Sequence, residues 1–175
     1  MTMTKWVIDP AHTSVDFSVR HLMISKVRGQ FNEFQGEIDG DVEDFENATI
    51  HFTIETDSIN TNQEQRDGHL KSADFFDVEK YPQITFKSTT IEQTKSNHFN
   101  IIGEMTIKDV TGKVTFHAVR EGVAQGENGR IAGFHASTEI NRQDYGLTWQ
   151  QALETGGVMV GNTVSISVDF EAQEQ

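Results

Sequence analysis

The residues best suited to chemistry in this chain lie between positions 62 and 86, where charged and aromatic side chains stand close together. Arg66, Asp67 and His69 bring a guanidinium, a carboxylate and an imidazole into four consecutive positions. These groups could form a polar mouth that orients a ligand headgroup. Equally, Arg66 and Asp67 could form a salt bridge that only holds the segment in place. Both interpretations remain open.

The histidines are the next candidates, because imidazole can bind metals, transfer protons or donate a hydrogen bond. His21 shares a face with the apolar residues of the first predicted strand. It could donate to a quinone or alcohol oxygen, or simply be a hydrogen-bonded core residue. His51, His117 and His135 fall on outward faces with no spacing that groups them. We therefore predict no metal site.

A polar loop at residues 141–146 gives a third candidate. Arg142 and Tyr145 could fold over one end of a barrel and offer polar contacts to a ligand, while Arg142 and Asp144 could instead do no more than hold a turn. No nucleotide-binding glycine motif, zinc-protease motif or nucleophile elbow occurs in the chain. We predict no catalytic residues and no enzyme.

Composition narrows the possible partners. The 175 residues carry a net charge of −13 and no cysteine. Such a surface repels nucleic acids and anionic membranes, and disulfides, thiolate metal sites and cysteine nucleophiles are excluded. The chain shows neither a signal peptide nor an apolar run of the ~20 residues needed to span a bilayer. These features predict a cytoplasmic protein without membrane insertion, in one domain over residues 1–175.

The elements that would position these side chains are strands. Apolar and polar residues alternate with a period of two through most of the chain, which predicts an all-β, antiparallel barrel or sandwich. The apolar parity changes near Asn32 and Glu33, and again between Phe86 and Ile91, which indicates two β-bulges. Residues 61–77 interrupt the strands. There, Thr61 and Glu64 match a capping box for a helix running to about Lys71.

The inward-facing residues of these strands would line a tunnel, or would simply fill the barrel. Small inward residues such as Gly29, Gly103 and Ala136 favour the tunnel. Together with the aromatic pair of the insert, the predicted lining is Val15, Phe17, Val19, His21, Phe31, Phe52, Ile54, Phe75, Phe76, Phe86, Phe99, Ile101, Met105, Phe116, Phe134, Ile166 and Val168.

Five stretches of the chain resemble the YceI-like family in sequence and order. They are WVIDPAHTSVDFSVRHL, RGQFNEFQGEI, DSINTNQEQRDGHLKSADFFDVEKYPQITF, GEMTIKDVTGKVTF and EINRQDYGL. The resemblance implies a lipocalin-like, eight-stranded antiparallel barrel with a short helical insert. It also implies a hydrophobic tunnel for an isoprenoid or similar chain, and a homodimer. It carries over no catalytic residues.

These observations together predict a protein that binds, sequesters or transports a long hydrophobic ligand: an isoprenoid, a quinone or a fatty-chain lipid. No cofactor is required, although a bound lipid is compatible with the tunnel. The alternatives are a small barrel enzyme acting on a lipid, and a stress-related interaction protein with a filled core. Because the chain is acidic, we expect a neutral ligand head unless Arg20, Arg28, Arg66 and Arg142 converge on one mouth.

Overall fold

The chain folds into a barrel of antiparallel strands. A computed structural model describes residues 4–22, 24–150 and 159–175. In these residues the strand segments are β1 (Lys5–Ile8), β2 (Ser14–His21), β3 (Ser25–Phe31), β4 (Phe34–Asp39), β5 (Thr49–Glu55), β6 (Ile59–Asn60), β7 (Gln83–Lys95), β8 (His98–Ile107), β9 (Val110–Gly126), β10 (Gly129–Asn141) and β11 (Val160–Glu174). The α-helix is α1 (Glu64–Lys71), and short 3-10 helices occupy Pro10–His12, Val42–Asn47, Thr56–Ser58 and Arg142–Tyr145.

These segments combine into eight barrel strands. β1 and β2 pair successively with the same edge of β11, so they act as one strand bent at Pro10. β3 and β4 form the next strand, pairing with β2 and β1 respectively, and β5 and β6 continue the order. β7 to β11 follow as a meander, and the pairing of β1 with β11 closes the circle. The predicted all-β, eight-stranded antiparallel barrel is confirmed.

Both predicted irregularities are present and bend the sheet. The strand breaks at Asn32 and Glu33, between β3 and β4. In β7 the register against β8 shifts between Ser88 and Thr90. Each irregularity switches which alternate residues face inward, so the apolar faces of both halves meet the interior.

One end of the barrel, called the lower end below, is closed by the segment at residues 40–48. Phe45 projects from this segment with its ring centroid 5.0 Å from that of Phe99 and 4.8 Å from that of Phe134. Phe134 stacks in turn on Phe170 at 4.9 Å. These rings are fully or almost fully buried, and they form a packed aromatic core.

An ionic cluster ties the lower end together. The Arg130 guanidinium contacts Glu174 at 2.7 Å, Glu43 at 2.9 Å and Asp41 at 3.2 Å, and it lies 5.1 Å above the Trp6 ring. The hydrogen bonds to Glu174 and then Asp41 raise the pKa of Arg130 and keep it charged. The cluster therefore joins β10, β11 and the closing segment across the barrel base.

The opposite, upper end carries α1, which ends at Lys71 as predicted, but the predicted capping box is wrong. The helix has Gln63 at its N-cap without a side-chain capping bond. Asn62 adopts a left-handed φ of 62°, which turns the chain away between Thr61 and the helix start. Thr61 instead binds the side chains of Arg66 and Asp67 further along the helix.

The small inward residues mostly accommodate neighbouring groups. A Cβ atom added to Gly29 would lie 2.5 Å from the Phe17 ring, and one on Gly103 would lie 2.3 Å from the Lys87 carbonyl oxygen. The expectation that these two glycines widen a tunnel is wrong, because neighbouring groups occupy the space. Ala136 does border open space inside the barrel. Among the described helices, none has the length and apolarity required to cross a membrane.

Candidate functional site

The upper part of the barrel encloses a cavity of about 690 Å³. This volume lies within the range typical of small-molecule sites. Its walls come from strands all round the barrel, and α1 with the following residues contributes to its upper side. Where the cavity approaches the lower end, its lining is apolar, with Ile8, Ile101 and Phe170 among its residues.

Most residues predicted to line a tunnel border this cavity. They are Val15, Phe17, Val19, His21, Phe31, Phe52, Ile54, Phe75, Phe76, Phe86, Ile101, Met105, Phe116, Ile166 and Val168. Phe99 and Phe134 do not, which corrects their predicted placement. Both have inward parity, but they lie at the lower end, where Phe45 fills the space between them.

Sequence reasoning missed part of the lining at the upper end. Leu70 on α1, and Leu147 and Trp149 after the Arg142–Tyr145 turn, all face the cavity. Leu70 belonged to the predicted insert, and its apolar side chain between charged neighbours was the available signal. Trp149 follows no strand pattern. Only the general tendency of tryptophan to bury its ring pointed to it.

An aromatic cluster forms one side of the cavity mouth. The His69 ring lies edge-on to Phe75 at 5.1 Å and to Trp149 at 4.9 Å. His69 Nε2 also lies 2.9 Å from an oxygen of Asp74. On another side, Phe76 packs edge-on against Phe31 at 5.9 Å. Phe75 and Phe76 thus attach the helical insert to the barrel and shape the opening.

The other two members of the charged cluster meet at Thr61. Arg66 Nε donates to the Thr61 hydroxyl at 2.8 Å, and Arg66 Nη2 donates to the Thr61 carbonyl at 2.7 Å. The Asp67 carboxylate accepts from the Thr61 amide at 2.9 Å and from the Thr61 hydroxyl. Arg66 lines the cavity, whereas Asp67 does not, which corrects its placement at the mouth. The Asp67 side chain points away from the cavity because both hydrogen bonds of its carboxylate are with Thr61.

Arg142 is buried, with 3% of its surface exposed, and borders the cavity. Its guanidinium donates to the backbone carbonyls of Leu147 at 2.6 Å, Trp149 at 2.8 Å and Gly161 at 2.8 Å. It therefore holds the segment after the turn against β11. Burial lowers the pKa of Arg142 from its ordinary value.

Tyr145 lies outside the cavity lining, which corrects its predicted role at the mouth. Its ring is buried against the end of the β8–β9 hairpin: a Cβ atom on Gly112 would lie 2.8 Å from the Tyr145 hydroxyl oxygen. Burial, and to a lesser degree the charge of Asp144, raise the pKa of Tyr145. Its role is to pack the turn beneath Arg142.

The other three histidines considered from the sequence do not line the cavity, and His117 and His135 lie diagonally opposite each other on the neighbouring strands β9 and β10. His117 Nδ1 lies 2.9 Å from Asn100, His135 Nδ1 lies 2.7 Å from Asp169, and His51 is exposed. Among the described residues, the group that brings three potential metal ligands together is Asp9, His12 and Glu171, with ligand atoms within 4.8 Å of one another. This group lies on the outer surface, away from the cavity lining.

Comparison with known proteins agrees with this geometry. The model of the YceI-like domain matches residues 6–172. A UPF0312 protein of Staphylococcus aureus strain N315 is 39% identical over 171 residues, covering 97% of each chain. The crystal structure of the Campylobacter jejuni YceI protein superimposes with a TM-score of 0.74 at 29% identity, over 89% of each chain.

A third protein shares the fold at lower sequence similarity. It is described as a polyisoprenoid-binding domain from Saccharophagus degradans implicated in plant cell wall breakdown, with a TM-score of 0.69 at 13% identity, over 97% of this chain and 98% of that one. The match of the family model over nearly the whole barrel shows that this chain belongs to the YceI-like family.

Proposed function

We propose that this protein binds one long apolar chain, an isoprenoid or a fatty-chain lipid, inside the barrel and keeps it out of water. The cavity of about 690 Å³ with its apolar lower lining carries this proposal. Each methylene moved from water into such a lining contributes about 0.8 kcal/mol. A long chain can therefore bind tightly with few polar contacts. The isoprenoid-binding description of the Saccharophagus degradans domain supports the same ligand class.

The distribution of polar groups favours a binding protein over an enzyme. Among the described lining residues, Arg66, His69 and Arg142 lie at the upper end of the cavity, and Asp16 on β2 carries the single carboxylate. An enzyme acting on the apolar chain would need matched acid and base groups deeper in the lumen. Binding, storage or delivery needs only the apolar lining and an opening.

The lumen can be tested directly by filling it. Ile166 on β11 faces the cavity, while Ser165 beside it borders the outer surface of the barrel. The variant Ile166→Trp should reduce affinity for a fluorescent long-chain probe at least tenfold, whereas Ser165→Trp should leave affinity within twofold of wild type. Equal affinity of both variants, with both folded by circular dichroism, would refute binding in the lumen.

The natural occupant can be sought with the unmodified protein. Native mass spectrometry of the freshly purified protein should show a bound mass, and organic extraction should release a lipid with a long apolar chain. A protein that carries no lipid and binds no long-chain probe would favour the interaction-protein alternative. The homodimer and the cytoplasmic location stay predictions, which light scattering and cell fractionation address.

A further inference from the structure

The loop between β2 and β3 is unusual in composition. Leu22, Met23 and Ile24 follow His21 in the sequence, and Met23 lies outside the described residues. Tight turns are mostly built from glycine, proline, asparagine, aspartate and serine. Here Leu22 adopts a left-handed φ of 55°, and Ile24 has 83% of its surface exposed, more than any other large hydrophobic residue in the described part of the chain. The loop therefore presents aliphatic surface to the exterior.

The outer face of the same hairpin is basic. Arg20 and Lys26 lie directly opposite each other in the pairing of β2 with β3, and Arg28 is the next outward-facing residue along β3. All three side chains are exposed, and none of them forms an ion pair with another described residue. Like charges opposite each other destabilise a pair of strands. An anionic partner outside the chain would remove this repulsion.

Acidic residues are missing from this part of an otherwise acidic chain. Residues 17–32 contain no carboxylate, although the protein has 27 acidic residues among 175 and a net charge of −13. The part of β11 that pairs with the end of β2, residues 160–165, contains none either. The hairpin is therefore a basic region on a surface whose overall charge is strongly negative.

Two carboxylates lie beside the hairpin, toward the middle of the barrel. Asp16 and Glu139 border the same outer groove as Arg28. Arg20 follows Asp16 by four positions along β2, which corresponds to about 13 Å. At physiological salt, charges separated by more than about 8 Å are largely screened from each other. Asp16 therefore does little to neutralise Arg20 or the opposite Lys26, whereas Arg28 is partly compensated.

The hairpin stands at the upper end of the barrel, beside the cavity. β11 begins next to the hairpin, where the Leu22 amide donates to the Met159 carbonyl at 2.8 Å. It ends in the ionic cluster of the lower end, which contains Glu174. His21 and Met159 both line the cavity. A ligand that enters at the upper end therefore passes close to the loop.

We infer that the β2–β3 hairpin docks this protein on the surface of an anionic lipid bilayer. Ile24 enters the headgroup region, and Arg20 and Lys26, with a smaller contribution from Arg28, contact the lipid phosphates. An apolar edge flanked by basic residues is the combination that interfacial protein segments use. Docking places the upper end of the cavity against the bilayer. The exchange of a chain between bilayer and lumen rests on the proposed function, whereas the docking itself does not.

The acidic remainder of the surface determines the orientation. Composition averaged over the whole chain predicts repulsion from anionic membranes, and the hairpin is a local exception to this average. Every approach that turns another face toward the bilayer brings carboxylates to the lipid phosphates. The protein therefore docks with the hairpin first and lies on the bilayer without spanning it.

Vesicle flotation measures the docking with the wild-type protein. Vesicles of phosphatidylcholine are compared with vesicles that contain about one-third phosphatidylglycerol, at low salt and at about 0.5 M salt. We expect at least tenfold tighter binding to the anionic vesicles at low salt, and loss of this preference at high salt. Equal binding to both kinds of vesicle at low salt would overturn the inference.

Charge variants assign the preference to the hairpin. The double variant Arg20→Gln/Lys26→Gln should weaken binding to anionic vesicles at least tenfold, since each basic residue near such a surface contributes about fivefold. The matched control, Lys87→Gln/Lys95→Gln, removes the same charge from exposed positions on β7 and should weaken binding less than twofold. Equal losses in the two folded variants would show an effect of net charge alone and contradict docking by the hairpin.

Tryptophan fluorescence tests the contact of the loop with lipid. Ile24→Trp should be quenched by brominated acyl chains in anionic vesicles at least twofold more strongly than the wild type. Val7→Trp is the control, because Val7 is also exposed but pairs with Gln173 near the lower end. Its quenching should match that of the wild type. An Ile24→Trp signal unchanged by brominated lipid would overturn the entry of the loop into the headgroup region.

The outcomes separate this inference from the proposed function and from a contact between two copies of the chain. Ile166→Trp, which fills the lumen, should keep the affinity for anionic vesicles. Vesicle binding by a wild-type protein that takes up no long-chain probe would overturn the proposed function and leave the docking intact. A wild-type dimer that binds no vesicles and that Ile24→Ser converts to a monomer, measured by light scattering, would assign the loop to a second copy and overturn the docking.

Discussion

At the scale of single residues, Thr61 is the point where the helical insert is fastened to the barrel. It is 3% exposed, and its amide, hydroxyl and carbonyl groups are all engaged by Arg66 or Asp67. The sequence suggested an Arg66–Asp67 salt bridge, whereas both side chains form hydrogen bonds with Thr61. Hydrogen bonds that involve a charged partner each contribute about 1.5–3 kcal/mol.

The variant Asp67→Ala tests this fastening. It should lower the free energy of unfolding by about 2 kcal/mol, since the Thr61 amide loses its charged acceptor. Urea unfolding measures the change, and Glu121→Ala, at an exposed position on β9, is the control. Because Asp67 does not line the cavity, ligand affinity of the folded variant should change less than stability does. A larger loss of affinity than of stability would assign Asp67 to the mouth.

His12 gives a residue-scale prediction about pH. Hydrogen bonding to Asp9, and then the charges of Glu171 and Asp9, raise the pKa of His12 in the folded protein. The contribution of protonated His12 to the stability of the folded protein is therefore fully present below the pKa of about 6.5 that histidine has in the unfolded chain. It is lost as the pH rises through the higher pKa of His12 in the folded protein. The melting temperature of His12→Gln should fall below that of wild type at pH 6 and match it at pH 9. An equal difference at both pH values would contradict this assignment.

At the scale of elements, alternation revealed the strands but not their height along the barrel axis. Phe116 and Phe134 have the same inward parity, yet Phe116 borders the cavity and Phe134 packs on Phe45. A period of two encodes which face a residue occupies, and the stagger between strands decides its depth. β1 was missed for a different reason: its four residues, Lys5–Ile8, are too few to show a period of two.

Arg142 illustrates what local pattern cannot provide. Its side chain is bound by carbonyls at positions 147, 149 and 161, and these come together only once the turn has folded against β11. The sequence offered a loop with polar residues and two interpretations. Its burial depends on tertiary contacts, so no propensity or spacing in residues 141–146 predicted it.

Alanine substitutions at two glycines compare the free space around the helical insert with the close packing of the barrel wall. Gly68 lies inside α1, and an added Cβ atom would meet nothing within 4 Å. Gly68→Ala should therefore raise the free energy of unfolding by up to about 1 kcal/mol through helix propensity. Gly103→Ala should lower it by about 1–3 kcal/mol, because the methyl group would collide with the Lys87 carbonyl and the Phe86 ring. Urea unfolding of both variants measures these changes, and equal effects would contradict the contrast.

At the scale of the whole molecule, the barrel divides its aromatic residues between two tasks. The residues of the lower end are tightly packed and stabilise the fold, while the upper part contains the cavity that would hold a ligand. Phe134→Ala should cost about 3–5 kcal/mol of unfolding free energy and leave the preferred chain length of the ligand unchanged. The residue touches Phe45 and Phe170, both in the lower core.

Phe116→Ala is the matched substitution in the cavity wall. It should cost less stability, since part of its ring already faces open space, and it should shift the optimum toward longer chains. A series of fatty acids from ten to twenty carbons, measured on both variants, separates these effects. A change of chain-length preference in Phe134→Ala but not in Phe116→Ala would contradict the assignment of Phe134 to the packed core and of Phe116 to the cavity wall.

The pairing of β1 with β11 joins residues 5–8 to residues 172–174. During synthesis β11 emerges after all the other strands described above, so until it has emerged the barrel remains an open, curved sheet with its apolar face uncovered. A nascent chain in this state cannot enclose a ligand of the proposed kind. Binding in the lumen would therefore follow the emergence of β11, and a nascent chain stalled before β11 should be a substrate for chaperones.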